Sequence, residues 1–461
     1  MSNPSVLFRL PCALIGTLLT VSIAACGGGG SAATPAKEPG GNLPVIVPIP
    51  KTPVKNPAPT MLHTEGTQWL NAASKPQRLQ GVNLGNWLLQ EFWMMGQGSA
   101  GIDDQCKLEA KLDQRFGYAE RQRLYRLFRD NWMSVRDWDI IEKFGFNVVR
   151  LPFIWSLIED EKNPLHLRDD AWEIFDEALK QAEQRGIYVI LDLHGAVGAQ
   201  GWEQHSGCAG KNLYWSTPAF QERTAWLWRQ IAGRYRDRAV VAGYSLLNEP
   251  WGTSEANLAL EIKKLYEAVR SVDQNHVVIL PGHAAGIDAY GKPAEQGMRN
   301  VAFEMHFYPG LFGWGQIGVD VHKDWLYCGG GSTRGVCEWN QRLKNVNTAF
   351  LVGEFQPWTG QGLESGAQIT RITYDVYADY GWAATSWSYK LISNGGGQGA
   401  GTWGLVTNAA NNPVPGLDFN TATLAEIEKT FRLFGSVPYE VHEPLMAWMN
   451  SSVAPDPFRR R

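Results

Sequence analysis

The sequence predicts an α/β fold in which eight parallel strands and the helices between them close into a (β/α)₈ TIM barrel. Short apolar runs alternate with helical patterns from residue 78 onward, and polar side chains follow nearly every run. Strand–helix alternation is typical of a parallel sheet, and eight repeats favour closure of that sheet into a barrel. We therefore expect a single barrel domain over residues 61–461.

The helices are predicted from apolar residues at helical spacing, as in residues 170–185, 220–235 and 255–272. An open, doubly wound sheet is the alternative, but it requires a glycine-rich phosphate turn after the first strand. Residues 81–85 lack the Gly-x-Gly-x-x-Gly pattern of such a turn. The eight predicted strands are Leu79–Leu84, Asn147–Pro152, Tyr188–Leu193, Val241–Leu247, His276–Leu280, Val301–His306, Ala349–Gly353 and Trp382–Trp387.

The composition excludes one class of partner and favours another. The chain has 42 basic and 46 acidic residues, a net charge of −4, and no long run of one sign. Because nucleic-acid binders usually carry a basic stripe, we expect no nucleic-acid partner. Aromatic residues make up 11% of the chain, including 20 Trp. A buried indole N–H needs a partner, so this abundance favours flat aromatic faces along a groove on which sugar rings could stack, although core packing suits any single Trp.

Residues 1–26 have the organisation of a lipoprotein-type signal peptide. Arg9 provides a positive start, and the stretch from Leu10 to Ala25 is uncharged and largely apolar. The segment Ile23-Ala24-Ala25-Cys26 resembles a bacterial lipobox, in which Cys26 is lipidated and becomes the mature N-terminus. An ordinary signal peptide with a chance cysteine nearby is the alternative.

Residues 27–60 are rich in Gly, Pro, Ser and Thr, which predicts a flexible tether without a core. A lipid anchor with such a tether would hold a monomeric domain at a bacterial cell-envelope membrane. Because Gly27 is not Asp, we favour the outer membrane; secretion without an anchor is the alternative. No other segment of the sequence is long and apolar enough to span a bilayer, so the anchor would be the only membrane contact.

Four cysteines remain if Cys26 is lipidated and the signal is removed, and an even number in an exported chain favours disulfides. A bond between Cys328 and Cys337 would close a short glycine-rich loop, and one between Cys106 and Cys208 would then join two distant loops. Three pairings are possible from the sequence alone. Metal binding is less favoured because no Cys-x-x-Cys or ligand-spaced His accompanies these cysteines.

Polar residues stand at the carboxyl ends of successive predicted strands. In a barrel all of these ends converge on one rim, where active sites form. A random distribution would not place polar residues at the ends of so many successive strands. The residues are Asn83, Asn86, Arg150, His194, Asn248, Glu249, His283, His306, Tyr308, Glu354 and Trp387.

Two of these residues, Glu249 and Glu354, would face each other across the barrel mouth, an arrangement that suits glycosidic bond cleavage. A retaining mechanism needs a carboxylate nucleophile and a carboxylic acid about 5–5.5 Å apart. The apolar neighbour Trp251 would raise the pKa of Glu249 and favour its protonated form, whereas Arg150 and Tyr308 could keep Glu354 charged. This chemistry needs only carboxylates and water, so we expect no metal or organic cofactor.

Taken in chain order, the motifs resemble glycoside hydrolase family 5, a member of clan A, the cellulase superfamily. The resemblance covers roughly residues 78–445. It implies a retaining O-glycosyl hydrolase with Glu249 as acid/base and Glu354 as nucleophile. The matching motifs are Arg150 in Val-Val-Arg-Leu-Pro, His194 in Leu-Asp-Leu-His-Gly, Asn248-Glu249-Pro250, His306-Phe307-Tyr308, Glu354 in Gly-Glu-Phe, and Trp387 in Ser-Trp-Ser-Tyr-Lys.

The resemblance also implies roles for the residues around the two glutamates. Each residue has a structural alternative, such as an ion pair inside the barrel or packing in the core. The implied roles are binding of the sugar 2-hydroxyl by Asn248, support of the nucleophile by Arg150 and Tyr308, lining of the first sugar subsite by His194 and His306, and stacking beneath the sugar by Trp387.

The substrate is suggested by the segment Gly81–Leu88 followed by Glu91, which resembles the opening motif of exo-β-1,3-glucanases in this family, as does the loop 192–200. By that resemblance the substrate is a β-glucan, β-1,3-linked and cut from its end, with Glu91 binding hydroxyls of the terminal glucose. Asn86 departs from the Gly usual in those enzymes, and the loop 309–339 has no clear counterpart.

Several other interpretations of the function remain open. Within the family the alternatives are internal cleavage of β-1,4-glucan, cleavage of mannan, and hydrolysis of glucosylated lipids. Outside it, the alternative is a non-catalytic carbohydrate-binding lipoprotein. Further aromatic residues are candidates either for sugar platforms or for the core, namely Trp314, Trp325, Trp339, Trp358 and Trp403.

Overall fold

Strands and helices alternate along the chain as the apolar pattern predicts. The computed structural model describes residues 46–458, except residues 53, 284–285, 329–334 and 400–401. The strands are β1 (His63–Glu65), β2 (Gln68–Leu70), β3 (Gln80–Asn83), β4 (Val148–Ile154), β5 (Tyr188–Gly195), β6 (Val241–Ser245), β7 (Val277–Pro281), β8 (Val301–Phe307), β9 (Ala349–Phe355), β10 (Ala383–Ser386), β11 (Lys390–Leu391), β12 (Val406–Asn408) and β13 (Tyr439–Val441). The helices are α1 (Phe92–Met95), α2 (Gln105–Phe116), α3 (Tyr118–Trp132), α4 (Val135–Lys143), α5 (Glu173–Gln184), α6 (Pro218–Tyr235), α7 (Glu255–Arg270), α8 (Val319–Tyr327), α9 (Val336–Val346), α10 (Leu363–Asp379), α11 (Leu424–Ser436) and α12 (Glu443–Met449).

Eight of the strands, β3 to β10, form a closed parallel barrel. Each strand pairs with the next in chain order, and β10 returns to pair with β3. All eight predicted strands are present, so the predicted (β/α)₈ fold is confirmed, and the three predicted helices are α5, α6 and α7. Between β7 and β8 the described chain makes two short 3₁₀ turns in place of a helix.

The amino-terminal end of the barrel is closed by the hairpin of β1 and β2. Trp69 in β2 is buried, and its indole Nε1 donates a hydrogen bond of 2.9 Å to the carbonyl of Phe350 in β9. Loss of such a buried Trp typically costs about 3–5 kcal/mol. The hairpin therefore anchors the end of the barrel opposite the predicted site. The apolar layer beneath it consists of Leu62, Leu79, Val148, Tyr188, Ile190, Ala242, Val277, Ile279, Ala302, Ala349, Leu351 and Ala383.

Two helices outside the eightfold repeat, α3 and α11, pack together beside the barrel. The rings of Phe128 and Trp132 in α3 stack at 5.5 Å, and Trp132 meets Phe434 of α11 edge to face at 5.4 Å. Close by, the fully buried Lys390 places Nζ 3.2 Å from Oδ1 of Asp137 in α4. This ion pair ties the chain that leaves β10 to a helix that precedes β4. Among the described residues, none of the helices has the length and apolar character that a membrane span requires.

The four cysteines form two disulfides. Cys106 at the start of α2 is bonded to Cys208 in the loop after β5, with a Cα–Cα distance of 5.1 Å. Cys328 is bonded to Cys337, with a Cα–Cα distance of 6.2 Å. Of the three pairings open to the sequence, the structure has the one that joins two distant loops and closes a short one.

The segment before residue 61 differs from the tether that the composition predicts. Residues 46–60 run along the amino-terminal end of the barrel, where Asn56 Nδ2 donates to the carbonyl of Phe146 at 2.8 Å and Thr60 N donates to Tyr188 Oη at 2.9 Å. Two backbone hydrogen bonds of 2.8 Å also join Ile49 and Lys51 to the chain just after α12. These groups are satisfied on the barrel instead of in water, so the described residues of the segment 46–60 are part of the folded body. The predicted signal peptide, Cys26 and residues 27–45 lie outside the described residues.

This packing can be tested by truncation. We expect a chain starting at residue 46 to unfold at the same denaturant concentration as the longer chain. A chain starting at residue 61 should lose about 2 kcal/mol or more, because each of several hydrogen bonds contributes about 1 kcal/mol. Urea unfolding followed by circular dichroism measures the difference. Equal stability of the two truncated chains would show that residues 46–60 are a tether after all.

Candidate active site

The polar residues that follow the strands meet at the carboxyl end of the barrel. Arg150 lies in β4, His194 in β5, His306 in β8 and Glu354 in β9. Parallel strands that close into a barrel bring these ends together whatever their separation in sequence. The rim is completed by residues just beyond strand ends, namely Asn248 and Glu249 after β6, Tyr308 after β8 and Trp387 after β10.

Glu249 and Glu354 face each other at the centre of this rim. The oxygen and nitrogen atoms that Glu249, His306 and Glu354 turn toward one another lie within 4.8 Å. Glu354 Oε1 is 3.0 Å from Nη1 of Arg150, and Tyr308 donates its hydroxyl to Glu354 Oε2 at 2.7 Å. One guanidinium and one hydroxyl therefore support both oxygens of Glu354.

The oxygens of Glu249 face two imidazoles. Oε1 lies 2.7 Å from Nδ1 of His306, and Oε2 lies 3.0 Å from Nε2 of His205. Each of the four carboxylate oxygens of the pair therefore lies 2.7–3.0 Å from a nitrogen or hydroxyl of another side chain. The backbone of Glu249 has φ of 40°, in the left-handed region that non-glycine residues rarely adopt. Such strained positions cluster at functional sites.

Arg150 is fully buried below the pair and contacts three carboxylates. Besides Glu354, it lies 3.0 Å from Asp192 Oδ1 and 2.9 Å from Glu304 Oε1. Its Nη2 also donates to Oδ1 of Asn248 at 2.7 Å. The sequence analysis did not identify Asp192 or Glu304. The sequence did carry a signal for both residues. Each stands two residues before a predicted site histidine and therefore lies on the same face of its strand.

Burial and these neighbours decide which of the groups are charged. Burial raises the pKa of Asp192, with Arg150 opposing and Glu304 adding to the rise. Burial would also raise the pKa of Glu304, but Arg150 and His306 outweigh it and lower that pKa. For His194, burial and the positive charge of Arg150 hold the pKa well below its usual value.

The neutral ring of His194 fixes the amide of Asn248. His194 Nδ1 lies 2.7 Å from Asp192 Oδ2, so this nitrogen carries the hydrogen, and Nε2 accepts from Asn248 Nδ2 at 3.2 Å. Asn248 thus has its oxygen on Arg150 and its nitrogen on His194. The amide is held in one orientation at the edge of the site.

The expected ionisation of Glu249 is wrong in direction. Burial does favour its protonated form, but His205 and His306 outweigh burial and lower the pKa of Glu249 to about 2. For His306, burial opposes protonation, and Glu354, Glu249 and Glu304 outweigh it and raise the pKa to about 10. Trp251, the apolar neighbour expected to control Glu249, is 44% exposed. The imidazoles, which lie elsewhere in the sequence, decide the charge.

Trp387 and Glu91 also lie at the rim. The Trp387 ring is buried and stacks on His194, with ring centres 5.5 Å apart and an angle of 10°. Glu91 is buried and accepts a hydrogen bond of 2.8 Å from Trp93 Nε1. Burial raises the pKa of Glu91 to about 7, with His205 opposing.

The remaining tryptophan candidates divide between the rim and the core. The Trp403 ring lies 5.6 Å from that of Trp93, which places it beside Glu91. Trp325 and Trp358 are buried core residues, so for these two the structural alternative is correct. Trp339 packs against Phe350, and Trp314 is 44% exposed.

His205 is the functional-site residue that the sequence analysis missed most clearly. It lies in the loop between β5 and α6, not at a strand end, so the rule that located the other residues does not apply to it. The sequence carries one weak signal for it: His205 comes shortly after residues 192–200, which resemble a loop of exo-β-1,3-glucanases.

Comparison with known proteins agrees with this geometry. The family profile described as Cellulase (glycosyl hydrolase family 5) matches residues 131–391. A β-xylosidase of Phanerodontia chrysosporium is 27% identical over 364 residues, 73% of this chain and 72% of the xylosidase. A probable glucan 1,3-β-glucosidase A of Neosartorya fischeri is 27% identical over 289 residues, 61% of this chain and 65% of that protein. The rutinosidase of Aspergillus niger has a similar fold, with a TM-score of 0.55 and 15% identity over 71% of this chain and 93% of that one.

The charge network makes a prediction about His306. Its ring should remain protonated to about pH 10, since three carboxylates stabilise the charged form. Glu304→Gln removes one of them, so the pKa should fall by about one unit or more. NMR titration of the histidine rings, assigned with a His306→Gln variant, measures the shift. Glu65→Gln, an exposed carboxylate in β1 at the other end of the barrel, is the matched control. A wild-type pKa near 6.5 would contradict the network.

Proposed function

The chain belongs to glycosyl hydrolase family 5, and on that premise we propose that it is a retaining β-glycosidase with Glu354 as nucleophile and Glu249 as acid/base. One observation carries the proposal: oxygens of the two carboxylates approach within 4.8 Å. Retaining enzymes place the two carboxyl groups about 5–5.5 Å apart, whereas inverting enzymes leave about 6.5–9.5 Å for a water molecule.

In the first step, Glu354 attacks the anomeric carbon of the sugar. Arg150 and the Tyr308 hydroxyl, at 3.0 Å and 2.7 Å, hold its two oxygens in a fixed orientation. A bond forms between that carbon and Glu354, the bond to the leaving oxygen breaks, and a proton passes from Glu249 to the leaving oxygen. Burial and the charge of Glu354 raise the pKa of Tyr308, so the phenol stays a donor throughout.

In the second step, Glu249 takes a proton from a water molecule as the water oxygen bonds to the anomeric carbon, and the bond from that carbon to Glu354 breaks and releases the Glu354 carboxylate. The low pKa of Glu249 keeps this group a carboxylate, which is the form that the second step requires. For the first step Glu249 must hold a proton, and it is the residue of the pair whose two oxygens face imidazoles. Asn248, held by Arg150 and His194, is placed to donate to a sugar hydroxyl.

The proposed substrate is a β-glucan, and we favour β-1,3 linkages cut from the chain end. The motif resemblance at residues 81–91 and the glucan 1,3-β-glucosidase relative support this choice. Glu91, with Trp93 and Trp403 beside it, provides a buried carboxylate and aromatic faces at the rim for a terminal sugar. Hydrolysis of β-xylosides is the second candidate, because the β-xylosidase relative is matched over 73% of this chain.

We also propose that the protein is exported and held at the cell envelope by a lipid on Cys26. The lipobox-like sequence before Cys26 supports this proposal. In a Gram-negative host, the wild-type chain should incorporate labelled fatty acid and enter the detergent phase, whereas Cys26→Ser should do neither. A wild-type chain that stays unlabelled would contradict it.

The catalytic assignment is tested with variants of the two glutamates. Glu354→Gln should abolish hydrolysis, and Glu249→Gln should lower the rate on poor leaving groups by about 10²-fold or more. Glu65→Gln, far from the rim, should keep full activity. The substrates are laminarin, carboxymethyl-cellulose, pustulan, mannan and an aryl β-xyloside, with products resolved by size.

The outcomes separate the parts of the proposal. Release of β-glucose from laminarin, with the first anomer identified by NMR, would support retention and cleavage from the chain end. Oligomers from another polysaccharide would leave the catalytic pair intact and refute the substrate. Release of the α-anomer, or activity that survives Glu354→Gln, would refute the catalytic assignment.

A further inference from the structure

His205 stands on the outer side of Glu249. Oε1 of Glu249 is taken by His306, whose Nδ1 also lies 3.5 Å from Glu354 Oε2. This oxygen therefore faces the nucleophile. Oε2 is the other oxygen, and the group that faces it is Nε2 of His205, 3.0 Å away. Trp251, 44% exposed, meets the His205 ring edge to face at 6.3 Å, so this side of Glu249 opens toward the outside.

The geometry points to His205 as a positioning residue for the leaving-group half of the reaction: it holds Oε2 of Glu249, the oxygen from which the proton passes to the leaving group. This inference rests on the proposed roles of Glu249 and Glu354. The sugar's anomeric carbon must lie at Glu354, and the leaving group must extend outward from it. With Oε1 bound by His306 on the inner side, Oε2 is the oxygen that faces the departing oxygen.

A purely structural role does not account for the ring of His205. Nε2 is buried and makes no hydrogen bond of good geometry among the described residues, and the polar atom it faces is Glu249 Oε2, at 3.0 Å. The loop is held by other contacts: Ser206 Oγ donates to the carbonyl of Glu203 at 2.7 Å, and Gln200 Nε2 donates to the carbonyls of His194 and Asn248 at 2.7 and 2.9 Å. The buried ring nitrogen of His205 is directed at Glu249 and not at its own loop.

The disulfide between Cys106 and Cys208 fixes the position of His205. Three ties join α2 to the loop just after this residue. They are the disulfide itself, a hydrogen bond of 3.0 Å from Cys106 N to the carbonyl of Gly207, and one of 3.0 Å from Ala209 N to Asp104 Oδ2. Because misplacement of a catalytic group by about 1 Å can cost about 10²-fold in rate, loosening this anchor should impair the same step as loss of the ring.

Leaving-group dependence tests the proposal. The dinitrophenolate group of a 2,4-dinitrophenyl β-glucoside leaves without being protonated. The sugar that leaves from a laminari-oligosaccharide requires a proton from Glu249. We expect His205→Ala to lower kcat/KM about tenfold or more on the oligosaccharide and to leave kcat/KM on the dinitrophenyl substrate within about twofold. His205→Gln, whose amide can still donate to Oε2, should recover part of the loss.

The disulfides provide a matched pair of variants. Replacing both Cys106 and Cys208 with Ser should lower the oligosaccharide rate selectively, as His205→Ala does. Replacing both Cys328 and Cys337 with Ser should leave the ratio of the two rates unchanged. Circular dichroism and urea unfolding check that each variant is folded.

Three results would overturn the proposal. Equal loss on both substrates would assign His205 to binding or to the fold, and no loss on either would assign it no part in the reaction. An unaltered rate ratio after removal of the Cys106–Cys208 bond would refute the anchoring role. A wild-type enzyme that hydrolyses neither substrate would instead refute the proposed glucosidase function, and with it the basis for His205.

Discussion

The fully buried guanidinium of Arg150 is the interaction on which the rest of the site depends. It lies within 3.0 Å of carboxylate oxygens from β5, β8 and β9, so one side chain joins four strands of the barrel. Removing one partner of a buried ion pair typically costs about 3–5 kcal/mol, because the remaining charge is left without compensation. Arg150 also orients Asn248, so the same group fixes Glu354 and the amide beside it. Burying an arginine among carboxylates is a costly way to stabilise a fold. The burial is explained by the need to hold these side chains in position at the site.

The two facing glutamates differ because their neighbours differ. Glu354 is held by a permanent cation and a neutral phenol, whose protonation states do not change near neutral pH. Glu249 instead faces two imidazoles, those of His306 and His205, at 2.7 and 3.0 Å. The proposed retaining mechanism requires two carboxylates with different surroundings, because one must stay ionised and the other must gain and lose a proton. Glu304 belongs to the same network of charges. Its Oε1 lies 2.9 Å from Arg150 Nε and 3.3 Å from His306 Nε2, so it links these two residues.

The two ends of the barrel have separate tasks. The amino-terminal end is closed by the β1–β2 hairpin and by residues 46–60, which add packing and hydrogen bonds away from the chemistry. The carboxyl end carries the charged residues and the loops, and there a disulfide replaces packing as the restraint on the loop of His205. Loops at this end must leave a substrate free to enter, so they cannot be held by burial alone.

The sequence by itself determined the fold class, the eight strands and most of the rim. It could do so because apolar periodicity is local and because the carboxyl ends of parallel strands converge in any closed barrel. It also placed the two glutamates, since each follows a strand. Only the tertiary structure decided which groups touch them. Glu304 and Asp192 become partners of Arg150 through the inward face of the barrel, and His205 reaches Glu249 from a loop that obeys no strand rule. The ionisation of Glu249 follows from these contacts and is the reverse of what its sequence neighbour Trp251 suggests, because a pKa depends on distances in space and not on positions along the chain.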